Sequence, residues 1–227
     1  GYRLHTALAL LDKDKIANQL GNSLPITSIA IPFSTPSTNA LAFTLLNDDA
    51  AMRSANIVLA EHQTAGRGRR GKVWQSPVAG NIYLSVAWRY PAGIHVLAGR
   101  SVAIGVVIAE TLNQLLKTDQ FTVKWPNDIW WCDHKVAGIL IEVQGDATSE
   151  CACVIGVGLN VAPKSQWVDQ VSGVRWQTLA DIACETNTDL PDRNTVAAQL
   201  IKAIVQVCER YDSLGISAYL ERFNALD

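Results

Sequence analysis

Residues 66–72 combine three glycines with four cationic side chains in the run Gly-Arg-Gly-Arg-Arg-Gly-Lys. Glycines allow the backbone N–H groups to curve around a ligand, and the cations favour an anion there. The whole chain has a formal net charge of −2, so this positive charge is local. The run predicts a phosphate-binding loop, with an exposed, solvated loop as the alternative. Trp74 follows it and offers a ring for base stacking, although a core position would suit it equally.

A second cluster occupies residues 124–128, Lys-Trp-Pro-Asn-Asp. A proline between two strand-like runs interrupts the ladder of hydrogen bonds and marks a bend or bulge. Asn127 and Asp128 therefore lie where the chain turns, available to a ligand. The alternative is a simple ion pair between Asp128 and Lys124.

Two further clusters lie on predicted strands. Alternation places Lys135 on one face with Ala137 and the apolar residues after it, which suggests a charge directed at a pocket or a lysine that reaches solvent. In the other cluster, Gly156, Gly158 and Asn160 share a face that is nearly bare of side chains. Such a face admits a ligand or a closely packed helix. Together the four clusters predict a surface for an anionic nucleotide.

The elements that must position these residues alternate irregularly between strand and helix patterns. Strands outnumber helices and hairpins are frequent, which predicts an α+β fold with a mixed, mostly antiparallel sheet flanked by helices. Asn194 is the predicted N-cap of the longest C-terminal helix, and Gly215 follows its end. The predicted strands are 26–31, 56–61, 81–88, 121–125, 129–131, 136–143 and 151–161, and the other predicted helices are 37–48, 97–116, 179–185 and 216–224.

Composition narrows the class of protein. The 227 residues are 48% hydrophobic, enough for one buried core or a large and a small domain. No apolar run reaches the roughly 18 residues of a membrane span, and no signal peptide is visible. The five cysteines form no C-x-x-C pair, so they predict neither a zinc site nor a disulfide framework. We therefore expect a cytoplasmic protein without a membrane partner.

The motifs in residues 61–71, 124–128, 135–140 and 156–160 resemble, in order and spacing, those of biotin protein ligases. Residues 37–39, Ser-Thr-Asn, resemble an upstream segment of the same family. The resemblance extends from about residue 26 to residue 227. It implies the central catalytic domain of a bifunctional ligase and biotin operon repressor, with a fold related to class II aminoacyl-tRNA synthetases.

The family resemblance implies a two-step reaction that uses ATP, Mg²⁺ and biotin. Biotin is activated to biotinyl-5′-AMP and then transferred to a lysine of a biotin carboxyl carrier protein. The resemblance also implies a homodimer, and DNA binding only through a winged-helix domain that would precede residues 1–25, a linker. A small SH3-like domain would follow the catalytic domain, residues 26–227, and we expect both flanking domains to be absent here.

The resemblance also assigns roles to individual residues. Lys135, Arg67 and Asp128 are the expected catalytic residues, and Asp128 is a candidate Mg²⁺ ligand. Departures from the family pattern are Pro36, where Asp is common, and Lys72, where some members carry Arg. The expected biotin-binding residues are Ser37, Thr38, Asn39, Gln63, Gly66, Arg67, Gly68, Arg69, Lys135 and Gly138. The expected ATP and adenylate residues are Arg67, Arg69, Arg70, Lys72, Trp74, Lys124, Asn127, Asp128 and Asn160.

Three alternatives stay open. A lipoate–protein ligase shares the fold and the adenylate chemistry, but the basic loop argues against it. A biotin-sensing regulatory module without catalysis is disfavoured by the intact Lys135 and the basic loop. A nucleic-acid-binding protein would use residues 66–72, but the acidic remainder of the chain argues against it.

Overall fold

The computed structural model describes residues 9–48, 52–145, 149–163 and 175–226, which form six helices and nine strands. The strands are β1 (Ile26–Ala30), β2 (Ser34–Thr35), β3 (Ala55–Ala60), β4 (His62–Gln63), β5 (Ile82–Tyr90), β6 (Phe121–Lys124), β7 (Asp128–Trp131), β8 (His134–Gly145) and β9 (Cys151–Leu159). The helices are α1 (Lys13–Leu20), α2 (Thr38–Asp48), α3 (Arg100–Leu115), α4 (Leu179–Thr186), α5 (Arg193–Leu214) and α6 (Ser217–Asn224).

Seven strands form one sheet in the order β1-β3-β5-β9-β8-β7-β6. Only β1 and β3 are parallel, and every other neighbouring pair in this sheet is antiparallel. The short strands β2 and β4 pair separately, in parallel. The predicted α+β class with a mixed, mostly antiparallel sheet is confirmed. Among the described helices, none has the length and apolar character needed to cross a bilayer.

The two faces of the sheet have different coverings. One face contributes alternate apolar residues, such as Leu84, Val86 and Val157, to the main core with α1, α3 and α5. On the opposite face α2 covers only part of the sheet, through a small apolar cluster that includes Phe43 and Leu46. The uncovered remainder of that face is where the predicted site residues lie.

The start of the domain differs from the sequence-based boundary. Residues 1–25 were expected to be a linker, but α1 packs against α5, and Leu11, Ile16 and Leu20 are buried in the main core. The side chain of Asp12 caps α1 by accepting hydrogen bonds from two N–H groups of its first turn. The described part of this segment is therefore integral to the domain.

The cap of α5 also differs from the prediction. Asp192, not Asn194, is the N-cap, and it accepts hydrogen bonds from the N–H groups of Asn194 and Thr195. The Asn194 side chain instead accepts the Asp12 N–H at 2.7 Å. Gly215 ends the helix with a φ of 67°, as predicted. The predicted helix at 97–116 begins only at Arg100, because Gly99 has a φ of 75°.

The cysteines are unpaired, as expected, and three of the five are buried. Cys151 and Cys153 lie on one face of β9, and Cys208 lies in α5 beneath it. Burial raises the pKa of Cys208 to about 12 and raises the pKa of Cys153 as well. These thiols are therefore neutral at physiological pH and pack as small apolar groups.

Candidate active site

A polar cluster joins the first turn of α2 to β4 and β5. The Thr38 N–H and hydroxyl donate to Gln63 Oε1 at 2.9 and 3.1 Å, and Gln63 Nε2 donates to Ser76 Oγ at 3.1 Å. Ser85 Oγ lies 2.8 Å from Thr38 Oγ1 and donates to Asn39 Oδ1 at 2.6 Å. Ser37 precedes this turn and is buried. Because these buried amides and hydroxyls hold one another in place, they form a rigid surface for a polar ligand.

The basic loop, residues 66–74, is a closed hairpin. Arg67 and Val73 form an antiparallel bridge, and the Gly68 N–H donates to the Lys72 carbonyl at 2.7 Å. Arg70 makes the turn with a φ of 55°, in the left-handed region, and its side chain is exposed, as is that of Lys72. The loop therefore has a defined shape that presents its cations on the outside.

Two arginines connect the basic loop to the sheet. Arg67 Nη2 donates to Glu142 Oε2 at 2.9 Å, and Arg69 Nη1 donates to Asn127 Oδ1 at 2.8 Å. Glu142 also accepts a hydrogen bond from Asn39 Nδ2 at 2.8 Å. The loop thus crosses the uncovered face from α2 to the bend between β6 and β7.

A glycine floor, Gly138, Gly156 and Gly158, lies beneath the loop. Gly138 pairs with Gly158 in the β8–β9 register. A Cβ atom on Gly158 would lie 2.3 Å from Trp74 Cε2, and one on Gly156 would lie 2.3 Å from Asn39 Oδ1. The predicted bare face is confirmed: side chains from the basic loop and α2 occupy the space that strand side chains would otherwise fill.

Gly66 is required by a similar close approach. A Cβ atom there would lie 2.5 Å from the Trp74 carbonyl oxygen and 2.8 Å from Ser76 Oγ. The Trp74 N–H donates to the Gly66 carbonyl at 2.9 Å, which closes the base of the loop. A side chain at position 66 would open the hairpin next to Gln63.

Lys135 lies at the edge of the glycine floor. Its Nζ donates to Asp128 Oδ1 at 2.8 Å, lies 5.6 Å from the centre of the Trp74 ring and would be 3.3 Å from a Cβ atom on Gly138. The prediction that the Lys135 side chain lies on the same face of the strand as Ala137 is wrong. A bulge in the β7–β8 pairing inserts one extra residue after Lys135 and turns its side chain to the Gly138 side.

The structure pairs Asp128 with Lys135 and not with Lys124. Lys124 Nζ, on the outer strand β6, instead lies 3.9 Å from the centre of the Trp130 ring on the neighbouring strand β7. Asn160 follows β9, and its side chain donates to the Gln177 carbonyl at 3.3 Å. Lys124 therefore lies opposite Asp128 in the β6–β7 pairing, and Asn160 lies just beyond the end of β9.

Three polar contributors were missed at the sequence level. Ser85 is fully buried in β5 between the apolar residues Leu84 and Val86, and Glu142 binds both Arg67 and Asn39. Ser76 supports Gln63. A small hydroxyl residue flanked by leucine and valine in a predicted strand is a signal that would have identified Ser85, because buried polar groups require partners.

Tyr83 anchors the segment that follows Trp74. Burial raises its pKa above the ordinary value of 10, so the phenol stays protonated, and it donates to the Pro77 carbonyl at 2.8 Å. Tyr83 is also the β5 neighbour of Gly158. The hydrogen bond between Tyr83 and Pro77 therefore fixes the chain three residues after Trp74, next to the glycine floor.

Comparison with known proteins identifies the family to which this chain belongs. Residues 32–160 match the model of the biotin/lipoate A/B protein ligase family. The chain is 38% identical over 227 residues to the bifunctional ligase/repressor BirA of Salmonella typhimurium, covering all of this chain and 67% of that protein. It is 33% identical over 151 residues to a biotin–[acetyl-CoA-carboxylase] ligase of Mycobacterium tuberculosis, covering 65% of this chain and 52% of that protein.

The fold has a solved counterpart. The biotin protein ligase of Leishmania major in complex with biotinyl-5-AMP superposes with a TM-score of 0.73 at 23% identity, covering 88% of this chain and 81% of that one. This likeness supports the fold, and the BirA match supports the family. The chain spans about two thirds of that BirA. Its sequence and its fold agree, and the chain belongs to the biotin/lipoate A/B protein ligase family.

Proposed function

We propose that this chain is the catalytic domain of a biotin protein ligase. It would activate biotin with ATP to biotinyl-5′-AMP and transfer the biotinyl group to a lysine of a biotin carboxyl carrier protein. The observation that carries the proposal is the position of Lys135 beside Gly138 of the glycine floor, with Arg67 and Arg69 holding the basic loop to the sheet through Glu142 and Asn127. Three cations on one face of the sheet suit a reaction between two anions.

The polar cluster at α2 is the proposed biotin end of the site. The ureido ring of biotin offers one carbonyl acceptor and two N–H donors, which match the hydroxyl and amide groups of Thr38, Gln63 and Asn39. Ser37 and Ser85 complete the cluster. Its internal hydrogen bonds fix these groups before the ligand arrives, which lowers the entropy lost on binding.

The first chemical step joins the biotin carboxylate to the α-phosphate of ATP. A carboxylate oxygen attacks the α-phosphorus, and the bond to the bridging oxygen of pyrophosphate breaks. Lys135, oriented by Asp128, would neutralise the carboxylate and the α-phosphate as they approach, and Arg67 and Arg69 would cover them. Positioned cations of this kind are the main contribution that a protein makes to phosphoryl chemistry.

The second step transfers the biotinyl group. The neutral amine of the acceptor lysine attacks the carbonyl carbon of the mixed anhydride, AMP leaves with the bonding electrons, and the amine loses a proton. In the interval, the basic loop, including Gly68, would cover the anhydride, because exclusion of water prevents its hydrolysis.

The nucleotide end of the proposed site lies around Trp74. Its ring would stack on adenine, with Asn127 and Asn160 at its sides. The exposed cations Arg70, Lys72 and Lys124 would meet the phosphates. Lys72 would provide a point charge in place of the bidentate contact of an arginine.

We also propose that Mg²⁺ binds to the site together with ATP. Within the described ranges, no three His, Cys, Asp or Glu side chains form a metal-binding group. Asp128 offers one carboxylate, which is already bonded to Lys135. This donor set fits an ion that keeps phosphate oxygens and waters as its other ligands, as Mg²⁺ does in nucleotide sites.

The experiment that tests the proposal compares two acids. The protein is incubated with MgATP and either biotin or lipoate, and the acyl-adenylate and pyrophosphate are measured. We expect biotinyl-adenylate, because the basic loop favours biotin. Lipoyl-adenylate without biotinyl-adenylate would instead support the lipoate–protein ligase, and biotin binding without pyrophosphate release would support a sensor.

The remaining expectations extend the proposal beyond this domain. We propose a homodimer in the cytoplasm and, because the BirA relative carries the name ligase/repressor, repression of the biotin operon through a DNA-binding domain that would precede residues 1–25. Sedimentation with and without biotinyl-adenylate tests the dimer. A carrier domain whose target lysine is replaced by arginine tests the acceptor.

A further inference from the structure

A buried ion pair outside the proposed site links three distant parts of the chain. Glu61 and Arg193 have side chains that are 3% and 10% exposed, and Arg193 Nη2 lies 2.8 Å from Glu61 Oε2. Glu61 directly follows β3 and precedes β4, which carries Gln63. Arg193 is the first residue of α5. A buried pair is costly to desolvate and is weak evidence for stability alone, so its other contacts indicate its role.

The pair holds the N-terminal segment, residues 9–12. Glu61 Oε1 accepts the Leu11 N–H, and Arg193 Nη2 donates to the Ala9 carbonyl at 2.6 Å. The neighbouring Asn194 accepts the Asp12 N–H at 2.7 Å. The backbone of residues 9–12 is therefore fixed by the side chain of Glu61, which follows β3, and by the side chains of Arg193 and Asn194 in the first turn of α5.

The same arginine reaches toward the nucleotide end of the proposed site. Arg193 Nη1 donates to the Asn81 carbonyl at 2.8 Å. The Asn81 side chain accepts the Val161 N–H at 2.8 Å, and its Nδ2 lies 3.5 Å from Asn160 Oδ1. Asn160 in turn bonds through its N–H to the carbonyl of Val136, the residue after Lys135. A continuous path of bonded groups thus leads from Arg193 to the chain beside Lys135.

We infer that Glu61, Arg193 and Asn81 are positioning residues, which couple residues 9–12 to Asn160 and thereby to nucleotide binding. The inference rests on the proposed function, because it takes Asn160 as a nucleotide contact. The guanidinium suits this role because it donates to the carboxylate and to two carbonyls at once, which an ammonium group on a flexible stem does not reproduce. The biotin end is held by its own internal hydrogen bonds, and none of these involves Glu61, Arg193 or Asn81.

The test uses Arg193→Lys, which keeps the charge opposite Glu61 and removes the forked contacts. Calorimetry measures the affinity for biotin alone and for a non-hydrolysable ATP analogue in the presence of biotin. We expect nucleotide affinity to fall about tenfold, the equivalent of one typical hydrogen bond, while biotin affinity stays unchanged. The matched control is Arg222→Lys, which alters a different Arg–Glu pair, with Glu110, and should change neither affinity.

Two further measurements distinguish positioning from general destabilisation. Asn81→Ala should cause the same selective loss, and the double variant should lose less than the product of the two single losses, because both act through one path. Amide hydrogen exchange should show faster exchange at Leu11 and Val161 in Arg193→Lys than in the control. Equal losses for both ligands, or a double variant with a multiplicative loss, would overturn the inference.

Ligand binding by the wild-type protein distinguishes a failure of this inference from a failure of the proposed function. A wild type that binds both ligands, together with an unchanged Arg193→Lys, overturns the coupling alone. A wild type that binds neither ligand overturns the proposed function and the coupling together.

Discussion

Replacement of Gly158 by alanine should separate the Trp74 ring from the sheet. The new methyl group would lie 2.3 Å from Trp74 Cε2, whereas an ordinary contact is 3.4 Å or more, so the ring must recede by about 1.1 Å. A misplacement of about 1 Å at a reacting site costs about 100-fold in rate. We therefore expect kcat/KM for MgATP in adenylate formation to fall by about 100-fold, or about 2.7 kcal/mol of transition-state stabilisation.

The assay is pyrophosphate release in the presence of saturating biotin, with biotin affinity measured separately by calorimetry. Biotin affinity should be retained, because the three atoms nearest to the new methyl group all belong to Trp74 and none to Thr38, Gln63 or Asn39. The control is Gly105→Ala, whose methyl group would lie 2.9 Å from Val123 Cγ1 in the core on the opposite face of the sheet. It also introduces a tight contact but should leave kcat/KM unchanged.

A folded Gly158→Ala variant with the wild-type kcat/KM would refute the reasoning, because the glycine floor would then not support the nucleotide. Equal effects from Gly158→Ala and Gly105→Ala would also count against it, since the loss would reflect packing in general. Circular dichroism of each variant verifies that the comparison is made between folded proteins.

Three other changes have defined outcomes. Lys135→Ala should slow adenylate formation by about 100- to 1,000-fold without unfolding the protein, and a near-normal rate of pyrophosphate release would contradict its role. Arg69→Gly removes the contact with Asn127, so biotinyl-adenylate should escape faster, as measured by trapping the free adenylate; an unchanged release rate would exclude this role. Asp192→Ala should lower the free energy of unfolding by about 1 kcal/mol, measured by urea titration, because α5 loses its N-cap. Burial alone would raise the pKa of Asp192, but hydrogen bonds from Thr195 and Asn194 lower it below 3.8, so the wild-type advantage should be complete above that pH and disappear as the pH falls through the lowered pKa.

The local sequence pattern was sufficient to predict those features that depend only on residues close together in the chain. The alternation of Gly156 and Gly158 with valine and leucine predicted a bare face, and the contacts of Trp74 and Asn39 confirm it. The charge and glycine content of residues 66–72 predicted a cation-bearing loop between strands, because both are properties of adjacent residues. The closure of this loop as a hairpin was not predicted.

The direction of Lys135 was not predictable in this way. A bulge shifts the register by one residue and sends every preceding side chain to the other face, and its position depends on how β7 pairs with β8. The burial of α1 depends on α5, about 180 residues later in the chain. The two apolar positions Ile16 and Leu20 are too few to reveal it. Glu142 was similarly missed, because its partners Arg67 and Asn39 belong to separate segments.

The glycine floor limits which parts of the protein can select the carboxylic acid. Since Gly138, Gly156 and Gly158 contribute no side chains, the proposed contacts with the ureido ring of biotin come from α2 and β4, at one end of the floor. These contacts are held partly by side chains of the sheet, because Ser85 and Glu142 bond to Asn39 and Glu142 also bonds to Arg67. We therefore expect that selectivity for the carboxylic acid can be altered at α2, at β4 and at these two sheet residues without a change in the glycine floor.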